Sequence, residues 1–260
     1  MDDSRRPVAL VTGGSRGIGA GTVLALADKG YDVAFTYRNK TARAEEVAAQ
    51  AEARGVRALP VGSDITRPEQ VDALFAQLKE WAGRLDAVIL NASGGLERDL
   101  VAADPAYPMR INRDAQALVV DGALPLLRPG GVIVFVTSHW AHLYGQVEQL
   151  PAYATVAASK HAGEQALRAR HDDFAARGVR LAVVTGDLVE GTITPKLLER
   201  VTPGLAAERR AGAGRLPTVE DTAAAIVAVV SDVTLPDGHV VVVGGALDAL
   251  PRLHDPVAAS

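Results

Sequence analysis

Residues Val8–Gly30 read VALVTGGSRGIGAGTVLALADKG. A β-branched apolar run ends at Thr12. Glycines follow at 13, 14, 17 and 19, with Ser15, Arg16 and Ile18 between them, and an Ala/Leu-rich segment then runs to Gly30. The pattern predicts a strand, a tight turn and a helix in direct succession. Glycines let the backbone turn sharply and let an anion approach the helix N-terminus, where free N–H groups and the helix dipole favour a pyrophosphate. A glycine turn that binds nothing is the plain alternative. The run Gly13-Gly14-Ser15-Arg16-Gly17 also satisfies G-x-S-x-G, but a nucleophile elbow draws part of its oxyanion hole from a loop after an earlier strand. Only twelve residues precede Gly13, so a hydrolase is not expected.

Beyond that unit, β-branched runs alternate with helical patterns along the chain. Seven strands are predicted, at 8–12, 32–37, 56–61, 86–91, 131–137, 179–185 and 239–244. Helices are predicted near 18–29, 41–54, 68–82, 111–127, 153–177 and 219–230. Continuous apolar strands separated by helices indicate an α/β domain whose parallel sheet is covered on both faces. Thr66 is expected to cap the helix that Pro68 begins. Gly30, Gly55, Gly83 and Gly178 are expected to end helices. No linker or repeat divides the 260 residues, so one domain is expected over 1–260, with loose tails at 1–6 and 251–260. A net charge of −4 argues against nucleic acid as a partner, and the lack of cysteine excludes disulfides and thiol chemistry. No apolar run approaches the roughly 20 residues of a membrane helix, and no signal peptide is recognised. The expectation is a cytoplasmic protein with a small-molecule substrate and no membrane partner.

The second strand ends FTYRNK, residues 35–40. A cofactor with a free ribose 2′-hydroxyl is normally met here by Asp or Glu. This chain offers Tyr37 and Arg38 instead. Arg38, with Arg16 beside it, could pair with a 2′-phosphate, so NADP(H) is expected over NAD(H). A solvated surface arginine is the competing reading of Arg38.

The motif Thr12-Gly13-x-x-x-Gly17-x-Gly19 is joined by Asn91-Ala-Ser-Gly94, Asn112, Ser138 and the terminal VVVVGG. Together they resemble the short-chain dehydrogenase/reductase family over nearly the whole length. The resemblance implies a single Rossmann-type domain, a nicotinamide cofactor, and a homodimer or homotetramer. It places Asp64 and Ile65 at the adenine, and Asn91, Ser93 and Gly94 along the cofactor cleft. Asn112 is placed in a water relay to Lys160, and Thr192 at the carboxamide. Two departures stand out. Asn-Ala-Ser-Gly replaces the commoner Asn-Asn-Ala-Gly, and VVTGDLVEGTIT lacks the usual Pro-Gly after the sixth strand.

The family's Tyr-x-x-x-Lys pair is also altered. Four residues before Lys160 stands Val156, and the nearest phenol is Tyr153. If a helix starts at Pro151, Tyr153 and Lys160 share a face about 10.5 Å apart along the axis. This Tyr-x6-Lys spacing is similar to that of enoyl-acyl-carrier-protein reductases. The expected roles are Tyr153 as acid, Ser138 as second donor, and Lys160 as ribose anchor that favours the phenolate, with Asn112 as relay. Tyr144 is read as a loop aromatic packed over the cleft. His139 and His142 lack a carboxylate at metal spacing, so no metal is expected, and they are expected to shape the substrate pocket. The segment 190–215 reads as a mobile flap over a bulky substrate. The preferred activity is NADPH-dependent ketone reduction of a polyketide-like compound. Enoyl thioester reduction and a non-catalytic NADP(H) sensor are the alternatives.

Overall fold

A computed structural model describes residues 6–253. Its strands are β1 (Val8–Val11), β2 (Asp32–Tyr37), β3 (Ala58–Gly62), β4 (Leu85–Leu90), β5 (Leu127–Ser138), β6 (Arg180–Gly186) and β7 (His239–Val243). They form one sheet in the order β3-β2-β1-β4-β5-β6-β7, every pair parallel. The chain winds one way from β1 to β3 and the other way from β4 onward. The crevice between β1 and β4 is therefore the switch point, where an open parallel sheet receives a ligand at its carboxyl edge.

The first five helices are α1 (Gly17–Asp28), α2 (Thr41–Glu52), α3 (Pro68–Trp81), α4 (Arg98–Ala103) and α5 (Tyr107–Met109). After a π-helical turn at Arg110–Asp114 come α6 (Ala115–Ala123), α7 (His139–His142), α8 (Ala154–Arg168) and α9 (His171–Ala176). The last are α10 (Ile193–Val201), α11 (Leu205–Ala213) and α12 (Val219–Ser231). One core face packs α3 and α6 against the sheet through Leu74, Leu78, Val119 and Ile133. The other packs α1, α2 and α12 through Val23, Leu26, Val47 and Ile226. A third cluster joins Trp140, Tyr153 and Val156 to Leu198 and Leu205. That cluster belongs to the site.

The seven-stranded sheet and its helical covers follow the sequence pattern. Gly30, Gly55, Gly83 and Gly178 all lie at positive φ, as helix-ending glycines do. Other expectations need correction. The helix expected over 111–127 opens on the π turn, is α-helical only over Ala115–Ala123 and gives way to β5 at Leu127, and the one over 153–177 is divided into α8 and α9 after Arg168. The cap of α3 is Arg67, not Thr66. The Thr66 hydroxyl instead donates to the Asp64 carboxylate at 2.7 Å. The flap segment folds into α10 and α11, which the patterns did not separate. The described parts of both tails are tied down. The Arg6 carbonyl accepts from Arg84 at 2.9 Å, Arg252 bridges to Val147, and Leu253 N donates to the Gln146 carbonyl at 3.1 Å. Residues 1–5 and 254–260 lie outside the described residues. No helix among those described is long and apolar enough to cross a membrane.

The glycine turn tolerates no side chain at Gly19, where a Cβ would lie 2.1 Å from the Gly13 carbonyl oxygen and 2.7 Å from Asn91 Nδ2. Gly19→Ala should therefore push α1 off the turn. The expected outcome is a loss of about 1–3 kcal/mol in urea denaturation, together with loss of nucleotide binding in a fluorescence titration. Unchanged values in both would refute this packing argument.

Candidate active site

The site grows from the ends of β1 and β4. The Thr12 hydroxyl accepts from the backbone N–H of Asn91 and of Ala92, both at 3.0 Å. The Asn91 amide donates in return to the carbonyls of Thr12 at 3.0 Å and Gly13 at 3.3 Å. These bonds lock the glycine turn to the end of β4. Gly13 and Gly17 have φ of +70° and +52°, a left-handed conformation that favours glycine. α1 then opens with its free N–H groups at the crevice.

A cavity of about 740 Å³ runs from this turn to Ser138 and Tyr153, with α10 along one side. Of the residues singled out from the sequence, Gly13, Arg16, Gly17, Ile18 and Gly19 line its first end. Asn91, Ser93 and Gly94 form one wall, Ser138, Tyr153 and Lys160 the far end, and Thr192 stands beside the turn, where a Cβ at Gly17 would lie 3.7 Å from its Cγ2. Ser15, Tyr37, Arg38, Asp64, Ile65 and Asn112 are not among the lining residues. Arg38 donates instead to the buried Tyr107 hydroxyl at 2.9 Å. Asp64 accepts from its own turn, through Thr66 N at 3.1 Å. Arg43 on α2, which no sequence motif marked, lines the cavity together with Arg16. The glycine turn, the mouth of α1 and these two guanidiniums suit a phosphate-rich ligand.

At the far end the Tyr153 hydroxyl donates to Ser138 Oγ at 3.0 Å. Tyr153 is the N-cap of α8, not a residue within it, so the shared-face argument does not apply. The phenol is carried inward by the bend at 150–153 and buried to 5% exposure. Ser138 ends β5 and caps α7, accepting from Ala141 N at 3.3 Å. Burial pushes the Tyr153 phenol above its ordinary value, against the Ser138 hydrogen bond. Burial lowers Lys160 to about 8. Lys160 is not among the causes that move the phenol. Both groups are held toward their neutral forms.

Asn112 sits on the π turn. Its amide donates to the Gly94 carbonyl at 2.9 Å and to Ser159 Oγ at 3.0 Å, and these contacts brace the wall of the cleft without reaching Lys160 directly. Thr192 caps α10 and donates its hydroxyl to Val189 O at 2.8 Å. Tyr144 packs on His161, ring centroids 5.8 Å apart, away from the cavity. Nor do the two histidines shape the pocket. His139 is buried beneath it against Thr185 at 3.0 Å, and His142 pairs with Glu164 at 2.9 Å. Trp140 between them does line the cavity, as do Val156, Asp187 and Leu198. Val156 is marked by its position four residues before Lys160, whereas the place of Leu198 comes from tertiary packing that no local motif signals. No cluster of three or more candidate metal ligands occurs among the described residues.

The family described as short chain dehydrogenase is matched over residues 7–201. A 1-cyclohexenylcarbonyl-CoA reductase from Streptomyces collinus is 33% identical over 72% of this chain, which spans 66% of that protein, a little under two thirds. The hydroxynaphthalene reductase arp2 of Aspergillus fumigatus is 32% identical over 76% of this chain and 71% of its own length. Among solved structures, a short chain dehydrogenase from Burkholderia cenocepacia in complex with NADP superposes with a TM-score of 0.80. Its identity is 29%, over 94% of this chain and 98% of that one. The landomycin C-6 ketoreductase LanV, with bound NADP and rabelomycin, superposes at 0.75 with 26% identity, over 93% and 96% of the two chains. The glycine turn, the Asn91 clamp and the Ser138–Tyr153–Lys160 end are thus set on a sheet shared with these reductases, and the chain belongs to the short chain dehydrogenase family.

Proposed function

We propose that this protein is an NADPH-dependent reductase that delivers a hydride to the carbonyl carbon of a bulky, polyketide-like substrate. The reading rests above all on the 3.0 Å contact between the Tyr153 and Ser138 hydroxyls, inside a cavity that continues to the glycine turn. Bound NADP in two structural relatives, and rabelomycin in one of them, supports the choice of cofactor and substrate class. When bound, NADPH supplies the hydride.

The chain's own residues would do the rest. The first-end glycines and α1 would hold the pyrophosphate, and Arg16 and Arg43 would pair with the 2′-phosphate, while Arg38 is engaged by Tyr107. Tyr153 and Ser138 both carry O–H donors that can converge on one carbonyl oxygen, where negative charge develops. The raised phenol keeps Tyr153 protonated at neutral pH, ready to give its proton to that oxygen. Lys160, still largely an ammonium at pH 7, anchors a ribose hydroxyl and stabilises the phenolate left behind. Val156 removes the family's usual acid from the cleft and leaves an apolar wall.

A second reading is enoyl thioester reduction, in which the same two hydroxyls would hold an enolate oxygen. The Tyr153-to-Lys160 spacing and the cyclohexenylcarbonyl-CoA reductase relative favour it. Following NADPH oxidation with polycyclic ketones and with crotonyl thioesters separates the two. Turnover confined to the thioesters would transfer the assignment to the second reading.

Tyr153→Phe should lower kcat about 100-fold or more while NADPH binding, read by fluorescence, stays within a factor of two. Undiminished kcat would remove Tyr153 as the acid. Alanine at Arg16 or Arg43 should shrink the NADPH-over-NADH preference in Kd by about tenfold. An unchanged ratio would return the 2′-phosphate to Arg38.

Lys160 makes a prediction with a definite sign. Its folded value of about 8 lies below the ordinary lysine value, so the unfolded chain binds more protons and stability rises with pH between the two. Lys160→Met should therefore raise Tm at pH 7, with the gain shrinking as pH climbs past 8, and should abolish turnover. A lower Tm at pH 7 would contradict the burial argument. Reduction by the wild type should fall off above about pH 8 as Lys160 loses its proton, and Lys160→Arg should move that limb upward.

A further inference from the structure

Beyond β6 the chain runs Gly186-Asp187-Leu188, where the family pattern has Pro-Gly. Asp187 is not a surface carboxylate. Its side chain is 0% exposed and that of Arg209, on α11, only 9%. Arg209 Nη2 donates to Oδ2 at 2.7 Å, and Nε lies 3.1 Å from both oxygens. Oδ1 also accepts from Leu188 N at 2.7 Å. The guanidinium lies 5.3 Å from the Trp140 ring centroid, stacked over its face. Room for the pair comes from Gly245, where a Cβ would lie 2.9 Å from Asp187 Oδ2 and 3.3 Å from Arg209 Nη2.

This pair joins the end of β6 to the segment that closes the cavity. Leu198 of α10 and Leu205 of α11 pack into one cluster with Trp140, Tyr153 and Val156. Leu198, Trp140 and Asp187 itself all line the cavity. A second ion pair of the segment, Arg210 to Glu190, is about half exposed on both sides and holds little against solvent. Removing one partner of a buried ion pair leaves the other charge uncompensated, which is strongly destabilising. Arg209 thus links α11 both to the end of β6 and to Trp140 on the wall beside Tyr153.

We propose that Asp187 and Arg209 are positioning residues that latch residues 193–213 over the site before any ligand arrives, so that the substrate chamber is preformed by the chain itself. Their consequence for substrate rests on the reductase reading above; the latch itself does not. Neither residue touches the reacting atoms in this scheme. Their effect is on where Trp140 and Leu198 stand, and so on substrate binding more than on the proton step.

Hydrogen–deuterium exchange on the free protein tests the latch directly. In the wild type, amides of 193–213 should exchange slowly. In Arg209→Met they should exchange at least tenfold faster, while amides of β1 and β4 keep their protection. The same variant should raise KM for an accepted ketone fivefold or more, with kcat and the NADPH Kd within a factor of two. Arg209→Lys should recover part of the KM. If the single variant does not fold, Asp187→Leu/Arg209→Met removes both charges and carries the same comparison. Flap exchange within twofold of wild type in the variant, a wild-type flap as fast as exposed loops, or a shift confined to NADPH Kd would each overturn the proposal. Failure of every substrate with a slowly exchanging flap would instead sink the reductase reading and leave the latch standing.

Discussion

The Asn91 amide, donating to the carbonyls of Thr12 and Gly13, is the contact on which the rest of the molecule depends. It joins the ends of the two strands between which the chain reverses direction. It ties the glycine turn to the end of β4. The Thr12 hydroxyl completes the clamp from the other side. Because Gly19 must approach the Gly13 carbonyl, α1 also takes its place from this contact. The phosphate end and the wall of the cleft are thus set by one small polar network. Its members are buried or half-buried, where hydrogen bonds are costly to leave unmade.

At the other end, burial governs the chemistry. Tyr153 and Lys160 sit in a compartment closed by Trp140, Val156 and Leu198, and both are shifted toward their neutral forms. A reductase benefits from a phenol that holds its proton until charge appears on substrate. An ammonium poised near 8 carries a desolvation cost that stability alone would not retain. The hydroxyl of Ser138 is oriented by its capping of α7 as well as by Tyr153, so the pair is held before substrate arrives.

The flap extends the same logic. Its apolar residues complete the compartment, and the buried Asp187–Arg209 pair ties it to the end of β6. Glycines 244 and 245 leave space for that carboxylate and its guanidinium. The closing strand thereby serves the site as well as the sheet.

Read along the chain, the strand–glycine–helix unit, the alternation of apolar runs and helices, and the order of Asn91, Ser138 and Lys160 are enough to specify the parallel sheet and the general place of the cleft. Those features are local, because periodicity and glycine spacing act over a few residues. Distances between distant segments lie outside their reach. Tyr153 faces Ser138 because a bend ahead of α8 turns it inward, not because of helical phase. Arg38 is drawn to Tyr107, 69 positions away, leaving Arg43 beside Arg16 at the cavity. His139 is enclosed beneath the pocket, and Asp187 meets Arg209 across 22 positions. Which side chains share a compartment, and so which charges are desolvated or paired, was decided only when the tertiary packing closed around them.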